Sequence, residues 1–200
     1  HPLYALPLWS PFYPVSMLIA FLPVPDQFMW GAMFHLLVCG LFMYLWLRRN
    51  LLPFSAALFG SLLFCFSPFV LVHVNEIDNV MRTIVWIPLI FYAGRVVIDG
   101  TEIIGSLLLA LALALMILAG HIQFTFYTMV TFVLYYVFSS LAVLHGERSR
   151  QRALKIMGSF GIVIILAIGL SAIGLFPAWY ASHLSTRSVL QSWRFITSYS

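Results

Sequence analysis

The sequence predicts an all-α protein: a polytopic transmembrane helical bundle of about six spanning helices plus an N-terminal interfacial or re-entrant segment. Three observations predict it. Hydrophobic residues make up 62% of the chain and charged residues 8%, with a mean hydropathy of +1.01, whereas soluble domains carry about 25% charged residues. The apolar runs are continuous over roughly 20 residues, the length a helix needs to cross a bilayer, while barrel strands alternate over about 10. The basic residues collect in short connections between these runs, where they set orientation. The formal charge of +4 therefore reports topology and gives no nucleic-acid footprint.

Six of the ten prolines fall in residues 1–25: Pro2, Pro7, Pro11, Pro14, Pro23 and Pro25. Proline at this density forbids a regular helix through 2–14. The interleaved Tyr4, Trp9, Phe12 and Tyr13 favour the headgroup region. Residues 1–27 are thus expected as an outer interfacial loop, with Val15–Leu22 too short to span. Spans follow at about Phe28–Leu47, Ser55–Val72 with a kink at Pro68, Val80–Ile98, Ile103–Ala119, Ile122–Leu144 and Ile156–Phe176. Gly120 is placed to cap the fourth. Pro177 is expected to end the sixth, leaving 177–200 as a tail on the outer face. Residues 28–176 then hold the spans of a single transmembrane domain. The chain opens on His1-Pro2 without an initiator Met and is expected to be an internal piece of a longer protein.

Orientation follows from counting. One set of connections holds Arg48, Arg49, Arg95, Arg148, Arg150, Arg152 and Lys155, and the opposite set holds Arg82, Arg187 and Arg194. Seven against three places the first set in the cytoplasm. The polar run from His73 to Arg82, the corner at His121 and the tail beyond Pro177 then share the outer side. So do residues 1–27.

That side carries the candidate chemistry. Glu76 and Asp78 lie two apart, with His73 before them and Arg82 after. Carboxylates so placed could handle a hydroxyl proton or hold a divalent metal, with arginine for a phosphate. Equally, they form a solvated loop with a local Asp78–Arg82 pair. Arg82 lies at or inside a span, where an ionisable residue marks function by default. His121 and Gln123 flank the fourth–fifth corner, as caps for free helix-end groups or as ligand contacts. Gln123, Tyr127, Thr131 and Tyr135 recur every four residues, which gives the fifth span a polar stripe expected to face the bundle. His35, Cys39 and Met43 form a similar stripe on the first span, read as packing. Gly158, Gly161, Gly169 and Gly174 are read as close-packing positions. Cys39 and Cys65 both fall inside spans, which argues against a structural disulfide. No Walker loop, dinucleotide fingerprint, zinc spacing or nucleophile elbow occurs in the sequence.

Several short motifs occur in a recognisable order. They are Phe12-Tyr13-Pro14; a span closing in Met43-Tyr44-Leu45-Trp46-Leu47-Arg48-Arg49; His73-Val74-Asn75; Val85-Trp86-Ile87-Pro88-Leu89; Ala119-Gly120-His121-Ile122-Gln123; and Pro177 with Ser185-Thr186-Arg187-Ser188. This order resembles the bacterial YfhO family of polytopic membrane proteins and covers nearly the whole chain. Ile122 stands where that family carries proline, and Tyr180 or a neighbour stands where it often carries glutamate.

The resemblance implies a glycosyltransferase of the GT-C class, moving a sugar from a polyprenyl-phosphate carrier to a cell-envelope acceptor on the outer face of the bacterial cytoplasmic membrane. It implies a catalytic carboxylate upstream of His1, which leaves Glu76 and Asp78 as weak candidates. Arg82 and Arg187 would face the phosphate, and His73, Asn75, His121 and Gln123 the sugar or phosphate. The partners implied are the lipid-linked donor, the acceptor and membrane lipids. A non-enzymatic transporter, flippase or scaffold is the alternative. A transporter would favour internal repeats and midplane polar sites, whereas here the polar residues gather at one rim.

Overall fold

A computed structural model describes residues 10–76, 78–100, 102–143 and 149–183. Among these residues the chain is helical, without strands. The elements are α1 (Pro14–Ile19), α2 (Val24–Arg49), α3 (Phe54–Cys65), α4 (Pro68–Glu76), α5 (Asp78–Ile84), α6 (Ile87–Ile98), α7 (Glu102–Leu118), α8 (Ile122–Val143) and α9 (Ser149–His183). Four stretches are long and apolar enough to cross a membrane: α2, Asn79–Ile98, Ile122–Leu141 and Leu154–His183. The bent pair α3–α4 makes a fifth. The remaining expected span, the fourth, is α7, of 17 residues, which rises about 26 Å against a hydrocarbon core of about 30 Å.

Proline sets several boundaries by what it removes. Pro25 sits in the first turn of α2, where a missing N–H costs nothing, so α2 starts before Phe28. Pro68 opens α4 and breaks the second span by 44°, with the Ser67 hydroxyl accepting from the Val70 N–H at 3.4 Å. Pro88 opens α6, so the third span divides at Val85-Trp86. The polar run expected as a loop is helical on both sides of residue 77. Pro177 departs from expectation: α9 runs through it to His183. At 35 residues α9 is about 52 Å long. The helix is therefore already established on both sides of the ring, and neighbouring groups in a bundle tolerate one missing bond.

The core is built on the third span and α7. Of the Asn79–Ile98 window 72% is buried, against 17% for α2 and α9. Leu89, Ile90, Ala93 and Val97 of α6 and Leu109, Ala112, Leu113 and Met116 of α7 are all buried in one core cluster. Hydrocarbon supplies no hydrophobic drive for this association, so close packing carries it. At Gly105 α7 comes into close contact with α6: a Cβ there would lie 2.7 Å from the Val97 backbone nitrogen. Gly94 similarly receives the Phe132 ring of α8. By contrast Gly158, Gly161 and Gly169 have no neighbour within 4 Å of a built Cβ. The expectation that they pack closely is corrected: α9 turns that face outward, and of the four glycines named, only Gly174 meets a neighbour, Leu118 at 2.9 Å.

One end of the bundle gathers cations. Asp99 accepts from Arg49 at 2.8 Å and pairs with Arg95 at 3.1 Å. Arg152 donates to the Ile98 carbonyl at 2.9 Å, tying the start of α9 to the carboxyl end of α6. The opposite end holds the α7–α8 corner and the segment before α1, joined by a hydrogen bond from Ser10 Oγ to the Ala119 carbonyl.

Candidate functional site

The α7–α8 corner forms as its residues dictate. Gly120 takes φ +90° and donates to the Ile117 carbonyl at 3.1 Å, ending α7 in a conformation a side chain would resist. His121 then starts α8. Its carbonyl accepts from the Thr125 N–H at 3.1 Å and the Thr125 hydroxyl at 3.0 Å. Its Nδ1 accepts from the Phe124 N–H at 3.4 Å, which leaves the ring proton on Nε2, pointing away from the helix end. His121 is thus a cap with its second nitrogen still available.

Phe124 joins this corner to α4. Its ring centroid lies 4.8 Å from His121, 5.9 Å from His73 and 5.6 Å from Phe69. Two histidines from distant parts of the chain therefore flank one phenyl ring. His73 Nδ1 is buried without a hydrogen-bond partner. Burial holds the His121 imidazole below its usual value. A backbone hydrogen bond opposes that shift, and His73 adds to it.

Below Phe124 lies a cleft of about 410 Å³ among α2, α3, α6 and α8, lined by Met43, Trp46, Phe64, Phe91, Tyr127 and Thr131 among others. The polar stripe on α8 edges this cleft, while Gln123, Tyr127 and Thr131 remain exposed. Gln123 donates to Tyr127 Oη at 2.9 Å. A second cavity, of about 230 Å³, lies between Ser10–Phe12, the Gly120 corner and Gly174–Ala178 of α9.

Arg82 belongs to a different cluster. Its guanidinium carbon sits 5.9 Å over the Tyr13 ring, and it lines neither cavity. Tyr13 is fully buried. Its hydroxyl accepts from Trp86 Nε1 at 2.9 Å and donates to His35 Nε2 at 2.6 Å, while His35 Nδ1 donates to the Gly31 carbonyl at 2.5 Å. A carbonyl can only accept, so these contacts fix the tautomer and direction of the whole chain. Burial pushes the Tyr13 phenol well above its usual range. His35, read as packing from its stripe, is a member of this network. Tyr13 and Trp86 were visible only as parts of two separate motifs, with no signal that they meet.

The structure thus brings His73 and His121 together and sets Arg82 against Tyr13. Arg187 lies outside the described residues, as do the side chains of Asn75, Glu76 and Asp78. Among the described residues no three of His, Cys, Asp and Glu gather to hold a metal. Cys39 and Cys65 are free and buried.

No curated protein and no solved structure matches this chain. A family model does, over residues 3–199. The match takes in the Phe12-Tyr13-Pro14 segment, the corner with His121 and all the apolar helices between and beyond them. This multi-pass membrane chain belongs to the family described as bacterial membrane protein YfhO.

Proposed function

We propose that the protein transfers a sugar from a polyprenyl-phosphate carrier to a cell-envelope acceptor on the outer face of the bacterial cytoplasmic membrane. One observation carries this reading: an apolar cleft ends at Phe124, between His73 and His121. That is the division of chemistry an amphiphile requires, with hydrocarbon below and hydrogen-bond donors above. The second ring nitrogen of His121 suits a phosphate or sugar oxygen, with His73 on the other side of the Phe124 ring. Gln123 and Asn75, each two positions along the sequence from one of these histidines, are the amide candidates for sugar hydroxyls. Arg187 would supply positive charge for the departing phosphate; Arg82, held over the Tyr13 ring, lies outside the cleft.

In the reaction the acceptor hydroxyl attacks the anomeric carbon as the bond from that carbon to the phosphate oxygen breaks. A carboxylate takes the hydroxyl proton. Within this chain Glu76 and Asp78 are the candidates for that carboxylate.

The test is His121→Ala, assayed for sugar transfer and for thermal stability in detergent. Loss of one good contact to a charged group lowers carrier affinity by about tenfold to a hundredfold. A purely capping role instead lowers stability by about 1 kcal/mol and leaves transfer alone. Transfer and affinity both unchanged would remove His121 from the site.

A further inference from the structure

The arginine end of the bundle carries more positive charge than its own carboxylates balance. By sequence, seven cations at that end face three carboxylates, Asp99, Glu102 and Glu147. Three of the cations meet, one from each of three helices. Asp99, the C-cap of α6, sets one oxygen 2.8 Å from Arg49 Nε of α2 and the other 3.1 Å from Arg95 Nε of α6. Arg152 of α9 donates from a terminal nitrogen to the Ile98 carbonyl at 2.9 Å. The same nitrogen lies 3.6 Å from where a Cβ on Gly100 would stand. Three guanidiniums thus surround residues 98–100 with one carboxylate among them. The first turn of α9 holds no acidic residue to offset Arg152.

This arrangement leaves donors over. A guanidinium carries five N–H donors. Asp99 engages Arg49 and Arg95 at Nε, and among the described residues their terminal nitrogens make no hydrogen bond. Of the Arg95 nitrogens only Nε is buried without a partner, and none of Arg49 is. The terminal nitrogens are therefore accessible. They are also held in place, by Asp99 and by the Tyr92 ring 5.9 Å from the Arg49 guanidinium carbon. Fixed, open and cationic, they suit an oxyanion that takes arginine forks two oxygens at a time.

Depth names the anion. Leu51, two positions beyond Arg49, is 91% exposed. Ile103, three beyond Gly100, and Leu154, two beyond Arg152, are exposed as well. Arginines at helix ends beside such apolar surface lie in the headgroup layer. The anions of that layer are lipid phosphates, and basic pockets between spanning helices take anionic head groups.

We propose that Arg49, Arg95 and Arg152 bind the headgroup phosphate of an anionic glycerophospholipid in the adjacent leaflet. One lipid then joins α2, α6 and α9. The site lies at the opposite end of the bundle from His121, and it stands whether or not the protein transfers a sugar.

The experiment is native mass spectrometry of the purified protein in detergent, titrated with phosphatidylglycerol and with phosphatidylcholine of the same acyl chains. Phosphatidylglycerol should bind tighter by about tenfold. Arg49→Gln combined with Arg95→Gln should cut that preference to about twofold or less. Arg148→Gln combined with Arg150→Gln removes as many charges from the same end and should leave most of the preference in place. Arg152→Gln, which keeps both Asp99 pairs, should weaken phosphatidylglycerol binding by about fivefold. It decides the matter if melting curves show that the Arg49 and Arg95 variant has lost its fold.

Equal binding of the two lipids by the unaltered protein overturns the proposal. So does a preference that survives in the folded Arg49 and Arg95 variant, or in the Arg152 variant. An equal loss in the Arg148 and Arg150 variant would make the attraction a diffuse field with no built site, which also overturns it. Inorganic phosphate that displaces phosphatidylglycerol would make this a site for a free anion and overturn the lipid assignment.

Discussion

Trp86 Nε1 donates a 2.9 Å hydrogen bond to Tyr13 Oη across 73 positions of sequence. Tyr13 passes its own proton to His35 at 2.6 Å, so three buried side chains tie the segment before α1 to α2 and to the break between α5 and α6. The bonds run in one direction and each donor has an acceptor. Such a chain holds together only when complete, because each member removed leaves another buried and unmet.

Tyr13→Phe therefore leaves the Trp86 N–H and His35 Nε2 without partners and should lower stability by about 2–6 kcal/mol, at about 1–3 kcal/mol for each orphaned group. Adding His35→Leu to that variant removes one orphan. The double change should cost less than the sum of the two single ones. Thermal melts in detergent give the cycle, and strict additivity would show that the three side chains are not one unit.

The bundle's two ends differ in charge, and this makes orientation measurable. Arg49, Arg95, Asp99 and Arg152 meet at one end, and Ile122 lies at the other, 71% exposed. Cysteine at Ile122, in a background lacking Cys39 and Cys65, should react with an impermeant thiol reagent on intact cells. Cysteine at Lys155 should react only after the membrane is opened. The reverse pattern would move the histidine corner to the cytoplasmic side and end the proposed outer-face transfer.

Much of this architecture was legible because a single local rule decided it. The α7–α8 corner is readable from Gly120, since the left-handed turn there suits glycine alone. The start of α8 at Ile122 follows. The arginine end is readable because cations must leave hydrocarbon. Pro177 was misread because the local rule, that proline ends a helix, yields when a 35-residue helix is already set on both sides. The meeting of His73 with His121 was illegible for a different reason. It depends on the bend at Pro68 and on how α4 leans against α8, and no periodicity in either helix encodes that.

Acid should loosen the corner. Burial, with His73 adding to it, lowers the His121 value from 6.5. The unfolded chain therefore binds a proton at a higher pH than the folded one. The contribution of His121 is fully present above about 6.5 and is lost as pH falls below that, until the folded group also titrates. Melting temperatures measured from pH 8 to pH 5 should fall below about 6.5. His121→Gln, which keeps a capping acceptor without a titrating group, should flatten part of that slope. An unchanged slope would assign the acid sensitivity to other groups.

Glycine substitutions give the sharpest check on the packing, because two helices in one chain predict opposite signs. In α7 a Cβ on Gly105 would lie 2.7 Å from both the Val97 backbone nitrogen and its Cγ2. A backbone atom cannot swing aside as a side-chain tip can, so α6 and α7 must separate. Gly105→Ala should destabilise by about 1–3 kcal/mol, the usual cost of overpacking. The same substitution at Gly158 in α9 meets nothing within 4 Å. There alanine only removes the conformational freedom glycine brings to the unfolded chain, so Gly158→Ala should stabilise by about 0.5–1 kcal/mol. Gly94→Ala belongs between them: its nearest neighbour is the tip of the Phe132 ring at 2.6 Å, but that ring is wedged against Phe91, Tyr136 and Phe160 and has little room to turn. Thermal melts of the three variants should therefore rank Gly158→Ala above the parent, and Gly94→Ala then Gly105→Ala below it. A neutral Gly105→Ala would mean that α6 and α7 are not in backbone contact. A destabilising Gly158→Ala would mean that this face of α9 is covered by protein.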